Sequence, residues 1–260
     1  MHEGKMLGLW SIPPDWAAHG AHIDGLVSFV HVLMLVLFVG WSAFFVYCLL
    51  RFKASANPVA NYHGVKSHFS SYIEVLVIIV EVIMLAGFSI PLWSEWTDEF
   101  PEESQSLLVR VVAERFAWNF HYTGPDGKFG VTSPKMVNVQ DNPVGLDIKA
   151  DAAGKDDIVT KKLFLSVNKP TILHITSKDV IHSFGAPTLR LKQDAIPGMN
   201  IPIHFKPIQE GKSLIACSQL CGSNHATMKG FIEIMSQEAF DKWYAAEAEK
   251  SVKASSEESF

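Results

Sequence analysis

Residues 217–228 read CSQLCGSNHATM. Cys217, Cys221, His225 and Met228 place two sulfurs, an imidazole and a thioether in one loop between two runs of β character, SLIAC and KGFIEIM. Upstream, His182 stands at the end of another strand-like run in DVIHSFGAP. One thiolate, two imidazoles and a weak thioether form the trigonal set that β-sandwich blue-copper proteins use. His182, Cys221, His225 and Met228 complete that set, which leaves Cys217 as a surplus donor. A second thiolate lets both sulfurs bridge two metal ions, with one imidazole for each. Two other readings stand beside this one. A Cys217–Cys221 disulfide suits an oxidising compartment but gives no purpose to His225 or Met228. A Cys2His2 zinc site uses both thiolates and both histidines but not Met228.

Outward from this loop, short β-type runs continue in both directions: LLVRVVA, RFAWNFHY, KFGVT, KLFLSV, TILHIT, TLRLK and NIPIHFK. They predict an all-β sandwich or barrel over residues 94–236. No long amphipathic helices separate the runs and no Gly-rich phosphate loop is present, which argues against a βαβ nucleotide-binding fold. Residues 133–158 are rich in Pro, Gly, Asp and Lys and read as a long surface excursion. Residues 237–260 read as a short helix fraying into a polar tail. Alternation in RFAWNFHY puts Phe116, Trp118, Phe120 and Tyr122 on one face, the pattern of core residues. An exposed aromatic over the metal would shorten the path for an incoming electron, and Phe116 and Trp118 are the candidates. His121, His174 and His204 lie in strand-like runs and read as structural, while His19, His22, His63 and His68 read as solvated.

The N-terminal third has a different character. Val27 to Leu50 carries no Asp, Glu, Lys or Arg, and 24 helical residues rise about 36 Å, enough to cross a bilayer. A second run, Val75 to Leu92, contains one carboxylate, Glu81, and is rimmed by Tyr72, Trp93 and Trp96. These runs predict a two-helix transmembrane hairpin over residues 25–93, after an outer segment 1–24. The connecting loop 51–71 holds Arg51, Lys53 and Lys66 but no acid, whereas Asp15 and Asp24 precede the first span and TDEFPEE follows the second. The excess of positive charge places the loop in the cytoplasm and both termini outside. Over the whole chain, 22 basic and 27 acidic residues give a net charge of -5, which excludes a basic nucleic-acid binder. Three cysteines are too few for a disulfide scaffold of 260 residues.

Two N-terminal spans, an outer β domain, and the segments DVIHSFGAPTLRLKQDAIPG and CSQLCGSNHATMKG resemble subunit II of cytochrome c oxidase, in the haem-copper oxidase family. The resemblance implies a cupredoxin-like Greek-key barrel holding the binuclear copper centre CuA. Cys217 and Cys221 would bridge, His182 and His225 would be terminal ligands, and Met228 and the backbone carbonyl of Gln219 would be weak ligands, one to each copper. It also implies a proton-pumping oxidase of a bacterial inner membrane, with the CuA domain on the periplasmic side. Electrons would come from a cytochrome c or another periplasmic donor and leave for haem in subunit I. Subunit III and membrane lipid would be further neighbours.

The chain departs from the commonest family pattern in three places. Gln219 stands where many relatives have a glutamate that helps bind magnesium at the boundary with subunit I, and an amide is a poorer ligand. Phe116 replaces a tryptophan thought to receive electrons. Met199 replaces an arginine after DAIPG. Relatives also carry a glutamate near Glu74 at the mouth of a proton channel; Glu81, seven residues further on, lies on the same side of the helix. The CuA module alone would equally serve a copper-dependent nitric oxide reductase. A membrane-tethered copper carrier is a third reading, against which a six-ligand, strand-flanked site argues.

Overall fold

The computed structural model describes residues 12–59, 62–64 and 66–257, so the first eleven residues of the expected outer segment and the last three of the polar tail lie outside it. It divides into two units: the apolar helices within residues 21–95, and a β domain formed by residues 96–257 together with the stretch before the first helix.

In the first unit, helix α1 spans Gly20–Arg51 and rises about 48 Å. Helix α2 spans Phe69–Met84 and continues through a π-helical turn, Leu85–Ser89, into α3, Ile90–Asp98. Pro91 explains the wide turn. It has no N–H to donate, and its ring would crowd the carbonyl one α-turn earlier. Widening the preceding turn relieves that crowding. Both helices run past the apolar stretches that predict them, and neither 18-residue apolar window has a residue buried by the chain itself. A core helix would be covered; these are covered by lipid or by other chains. Phe29 and Phe88 meet with ring centroids 5.6 Å apart, which joins the two as a hairpin.

The β domain is a two-sheet sandwich. One sheet contains β1 (Leu107–Glu114), β2 (Ala117–Tyr122), β3 (Ile158–Thr160), β5 (Thr171–Ser177) and β8 (Ile201–Phe205), in the order β3-β2-β1-β5-β8. The other contains β4 (Lys162–Ser166), β6 (His182–Ala186), β7 (Leu191–Ala195), β9 (Gly211–Cys217) and β10 (Lys229–Met235), in the order β4-β10-β9-β6-β7. Most neighbours are antiparallel, but β1 runs parallel to β5 and β10 parallel to β4. The inner faces close over a core that includes Val109, Val111, Phe120, Leu173, Phe184, Ile215 and Ile232, all fully buried. Alternation along β1 and β2 supplies the inner face as expected.

The outer face of the first sheet departs from simple inside–outside alternation. Asn119, His121 and Val112 point away from the core yet are buried, because residues 123–157 fold back over them. Asp157 anchors this cover. Its carboxylate accepts from His121 Nε2 at 2.6 Å and from the backbone N–H groups of Gly124 and Gly130. Lys178 ties another part down, bonding the Pro143 carbonyl and pairing with Glu114. The surface excursion is therefore the lid of a second, polar layer.

Both ends of the domain also extend beyond the strands. The expected short C-terminal helix is α4, Gln237–Glu257, 21 residues long. Phe240 and Ala248 join the core, Trp243 lies 4.3 Å from the Phe164 ring, and the Tyr244 hydroxyl donates to the Thr123 and Gly124 carbonyls. A boundary at 236 thus separates residues that packing joins. At the other end, Trp16 N–H donates to Thr188 O, Ala18 N–H to Lys206 O, and Ile208 N–H to Trp16 O. Residues 12–20, before the first span, and the described chain after the second belong to one folded body. His19, expected to be solvated, is half-buried, with its ring 4.2 Å from that of Trp96.

Tyr122 joins the sheets across the core: its hydroxyl donates to the Phe164 carbonyl and accepts from the Phe164 N–H. Burial, the largest influence, pushes its pKa far above the phenol range, so the group stays neutral and keeps both bonds. Tyr122→Phe is expected to strand two buried backbone groups and lower the stability of the β domain by about 1–3 kcal/mol. Denaturant unfolding of the full chain, followed by near-UV circular dichroism, measures the loss.

Candidate metal centre

Four chain segments meet at one end of the second sheet. Cys217 is the last residue of β9, Met228 precedes β10, and Cys221 and His225 lie on the loop between them. His182 is the first residue of β6, which pairs with β9 through Phe184 opposite Cys217. Backbone bonds close the loop at its neck: Cys217 N–H donates to Met228 O at 3.2 Å, and Ser218 N–H to Ser183 O at 2.9 Å. Met228 N–H turns back onto Asn224 O and His225 O. Gly222 lets the loop turn tightly, with φ +138°, and a Cβ there would also meet the Phe116 ring at 3.1 Å.

The donor atoms face one another. Cys217 Sγ lies 3.8 Å from Cys221 Sγ and 3.8 Å from His182 Nδ1. Cys221 Sγ lies 3.6 Å from His225 Nδ1 and 3.8 Å from Met228 Sδ, while the Gln219 carbonyl oxygen is 3.2 Å from Cys217 Sγ. Two sulfurs bound to one tetrahedral ion at about 2.3 Å sit about 3.8 Å apart, and a sulfur and an imidazole nitrogen about 3.5 Å apart. The observed separations match these ligand-to-ligand spacings. Both thiols are free and buried. His182, Cys217 and Cys221 bring their ligand atoms within 4.8 Å of one another. The donor set therefore fits a metal, with each thiol facing a different histidine and the two thiols facing each other.

Burial, followed by the neighbouring Cys217, pushes the Cys221 thiol up to about 11. Without a metal Cys221 keeps its proton, and loading releases it. His182 is fully buried, and its Nε2 lies 2.9 Å from the Asp179 carboxylate. Asp179 also accepts from the N–H of Val180 and from both the backbone N–H and Nε of Arg115. Burial alone would raise its pKa, but these four donors outweigh it and hold the carboxyl well below the usual range. An anionic acceptor at Nε2 fixes the proton there and leaves the Nδ1 lone pair facing the thiols. Asp179 was not among the residues singled out from sequence, although its spacing three residues before His182 was a usable signal.

The two aromatic candidates take different places. Phe116 precedes β2, is half-buried, and lies against Gly222, next to Cys221. Trp118 is only 2% exposed, with its ring 6.2 Å from His182 and 5.7 Å from Phe184. It is a wall of the site and does not meet the condition of an exposed aromatic. Glu74 and Glu81 both lie on α2, in the other unit.

Comparison with known proteins agrees with the geometry. Residues 107–235 match the family described as cytochrome c oxidase subunit II, periplasmic domain. A probable cytochrome c oxidase subunit 2 of Rickettsia bellii is 30% identical over 214 residues, covering 82% of this chain and 73% of that protein. The alternative cytochrome c oxidase subunit 2 of Bradyrhizobium diazoefficiens is 26% identical over 229 residues, covering 87% and 80%. Among solved structures, the periplasmic domain of subunit II of cytochrome oxidase of Bradyrhizobium japonicum is 28% identical, with a TM-score of 0.42, and covers 58% of this chain and 99% of that one. Two apolar helices followed by a cupredoxin-like β domain agree with that family. The chain belongs to the cytochrome c oxidase subunit II family, a copper-containing family.

Proposed function

We propose that this chain is the electron-accepting subunit of a proton-pumping terminal oxidase, anchored in a bacterial inner membrane with its β domain on the periplasmic side. The observation that carries the reading is the pairing of donors: Cys217 with His182, Cys221 with His225 and Met228, and the two thiols with each other. A binuclear copper centre held there by Cys217, Cys221, His182, His225, Met228 and the Gln219 carbonyl would supply reversible one-electron uptake, and its electron would leave for haem in subunit I. The residues' own contribution is rigidity. Backbone bonds hold the loop neck, Asp179 orients His182, and buried Trp118, Phe184 and Met228 keep water from one side. Ligands already in place need little rearrangement when the charge changes.

The positive loop between the spans supports a cytoplasmic hairpin end and hence an outer β domain. From Trp93 onward the chain has 22 acidic and 18 basic residues, so a basic cytochrome c would be steered weakly towards it. Phe116, beside Cys221, is the proposed point where electrons come in. Glu74, near the start of α2, is proposed to collect protons from the cytoplasm for subunit I, with Glu81 deeper in the same helix facing a neighbouring subunit.

Three measurements test this reading. Full-length chain loaded with Cu(I) and Cu(II) should take up two copper ions and show a mixed-valence signal delocalised over both. Cys217→Ser should hold at most one, and Asp179→Asn should keep two but lose about 10- to 100-fold in affinity against a competing chelator. One copper per wild-type chain would end the binuclear assignment. Phe116→Ala should slow oxidation of the reduced donor in stopped flow while the copper spectrum stays intact; an unchanged rate removes its role. In the assembled oxidase, Glu74→Gln should slow oxygen consumption without altering copper content or donor binding, and full turnover would reduce Glu74 to a residue at the membrane surface.

A further inference from the structure

The excursion that covers the first sheet does not cover it completely. A cavity of about 700 Å³ opens between the outer face of β1 and β5, the segment around Thr132–Val144, and the turn near Asn200. Its lining combines Arg110 from β1, Thr176 from β5, Thr132 and Lys178, whose ammonium is engaged by Glu114 and the Pro143 carbonyl, with the apolar side chains of Val112, Val137 and Val144. This volume falls within the range of small-molecule sites, and a mostly apolar wall with a few convergent polar groups is the usual make-up of one.

Arg110 gives the cavity its chemistry. Its guanidinium lies over the Phe129 ring, 4.5 Å from the centroid, so one face is stacked. Among the described residues no carboxylate or carbonyl accepts a hydrogen bond from it. The nearby acids are already engaged. Asp157 acts on Arg110 only through space, and its oxygens accept from His121, Gly124 and Gly130. Glu114 is held by Lys178, Lys161 and Asn119. Thr132 and Thr176 likewise have side-chain hydroxyls without a partner among the described residues. A planar fork of N–H donors, half-buried and uncommitted, suits a carboxylate or phosphate that can accept two bonds at once.

We propose that this cavity is a binding site for a small organic anion, with its carboxylate or phosphate head on Arg110 and the two threonines, and a compact apolar body against Val112, Val137 and Val144. A bare inorganic ion would leave most of the space to water and the valines uncovered. The cavity lies on the first sheet, whereas the metal donors belong to the second; at its rim, Ser177 also touches Asp179, the residue that holds His182.

Benzoate and phenyl phosphate serve as probes, with benzamide and inorganic phosphate as the versions lacking the charge or the body. Titration calorimetry on the copper-loaded full chain in zwitterionic nanodiscs should show one saturable site for each of the two complete probes. Both partial probes should bind at least about tenfold more weakly. Arg110→Gln should weaken the complete probes by at least about tenfold, Arg110→Lys by less, and Lys242→Gln, an exposed side chain on α4, not at all. Val137→Asp, which puts a negative charge at the cavity wall, should abolish binding while leaving Arg110 and its stacking partner in place. Absence of saturable binding at millimolar probe overturns the proposal. So does undiminished binding in Val137→Asp or Arg110→Gln, or inorganic phosphate binding as tightly as phenyl phosphate.

Discussion

Two backbone hydrogen bonds, Cys217 N–H to Met228 O and Ser218 N–H to Ser183 O, join β9, β10 and β6 at one end of a sheet. The convergence of the candidate donors depends on that junction. The first bond closes the loop, so that residues eleven positions apart in sequence bring sulfur donors to the same place. The second brings in β6, and with it the one ligand that does not come from the loop. Holding an eleven-residue loop against its conformational entropy takes more than two such bonds at about 1 kcal/mol each. The remainder comes from burial of Cys217, Cys221 and Met228 against the sandwich core. The soft ligands are thus also core residues, and the metal-free site is already shaped.

Beyond the ligands, the site is supported from the opposite sheet. Arg115, between β1 and β2, reaches Asp179, and Asp179 holds His182 on the second sheet. Trp118, also from the first sheet, packs edge-on against His182 and Phe184. A histidine at the end of a strand would otherwise have ring freedom; here one ring nitrogen is occupied and a ring edge is blocked. The orientation of one ligand therefore depends on sheet-to-sheet packing, and small losses in that packing would be felt at the metal before they were felt in overall stability.

The outer face of the first sheet follows a different rule. His121 and Asp157 are both at 0% side-chain exposure, a pairing whose desolvation cost offsets much of its attraction. Its value lies in position. With Gly124 and Gly130 donating to the same carboxylate, it decides where the excursion crosses the sheet, and that crossing shapes the cavity beneath Arg110.

The candidate donor set could be proposed from the sequence because five of its six members fall within twelve residues, and donor types at short spacing need no long-range information. The spans were legible because a lipid-covered helix must be apolar along its whole length. The β class followed from the runs between turns. What the sequence left open depends on contacts between distant segments. The parallel pairings β1 with β5 and β4 with β10 leave no local signature, since strand direction is set by what the chain does in between. The weight of Asp179 shows only when Arg115, 64 residues away, is brought to the carboxylate that holds His182. Residues 237–257 look frayed because the apolar contact with the domain runs through Phe240, Trp243, Tyr244 and Ala248, and a narrow contact stripe on a polar helix gives a weak pattern. Local chemistry wrote the candidate donor loop and the membrane spans; the pairing of strands and the burial of Asp157 against His121 in the second layer were decided by tertiary packing, because their partners lie tens of residues away.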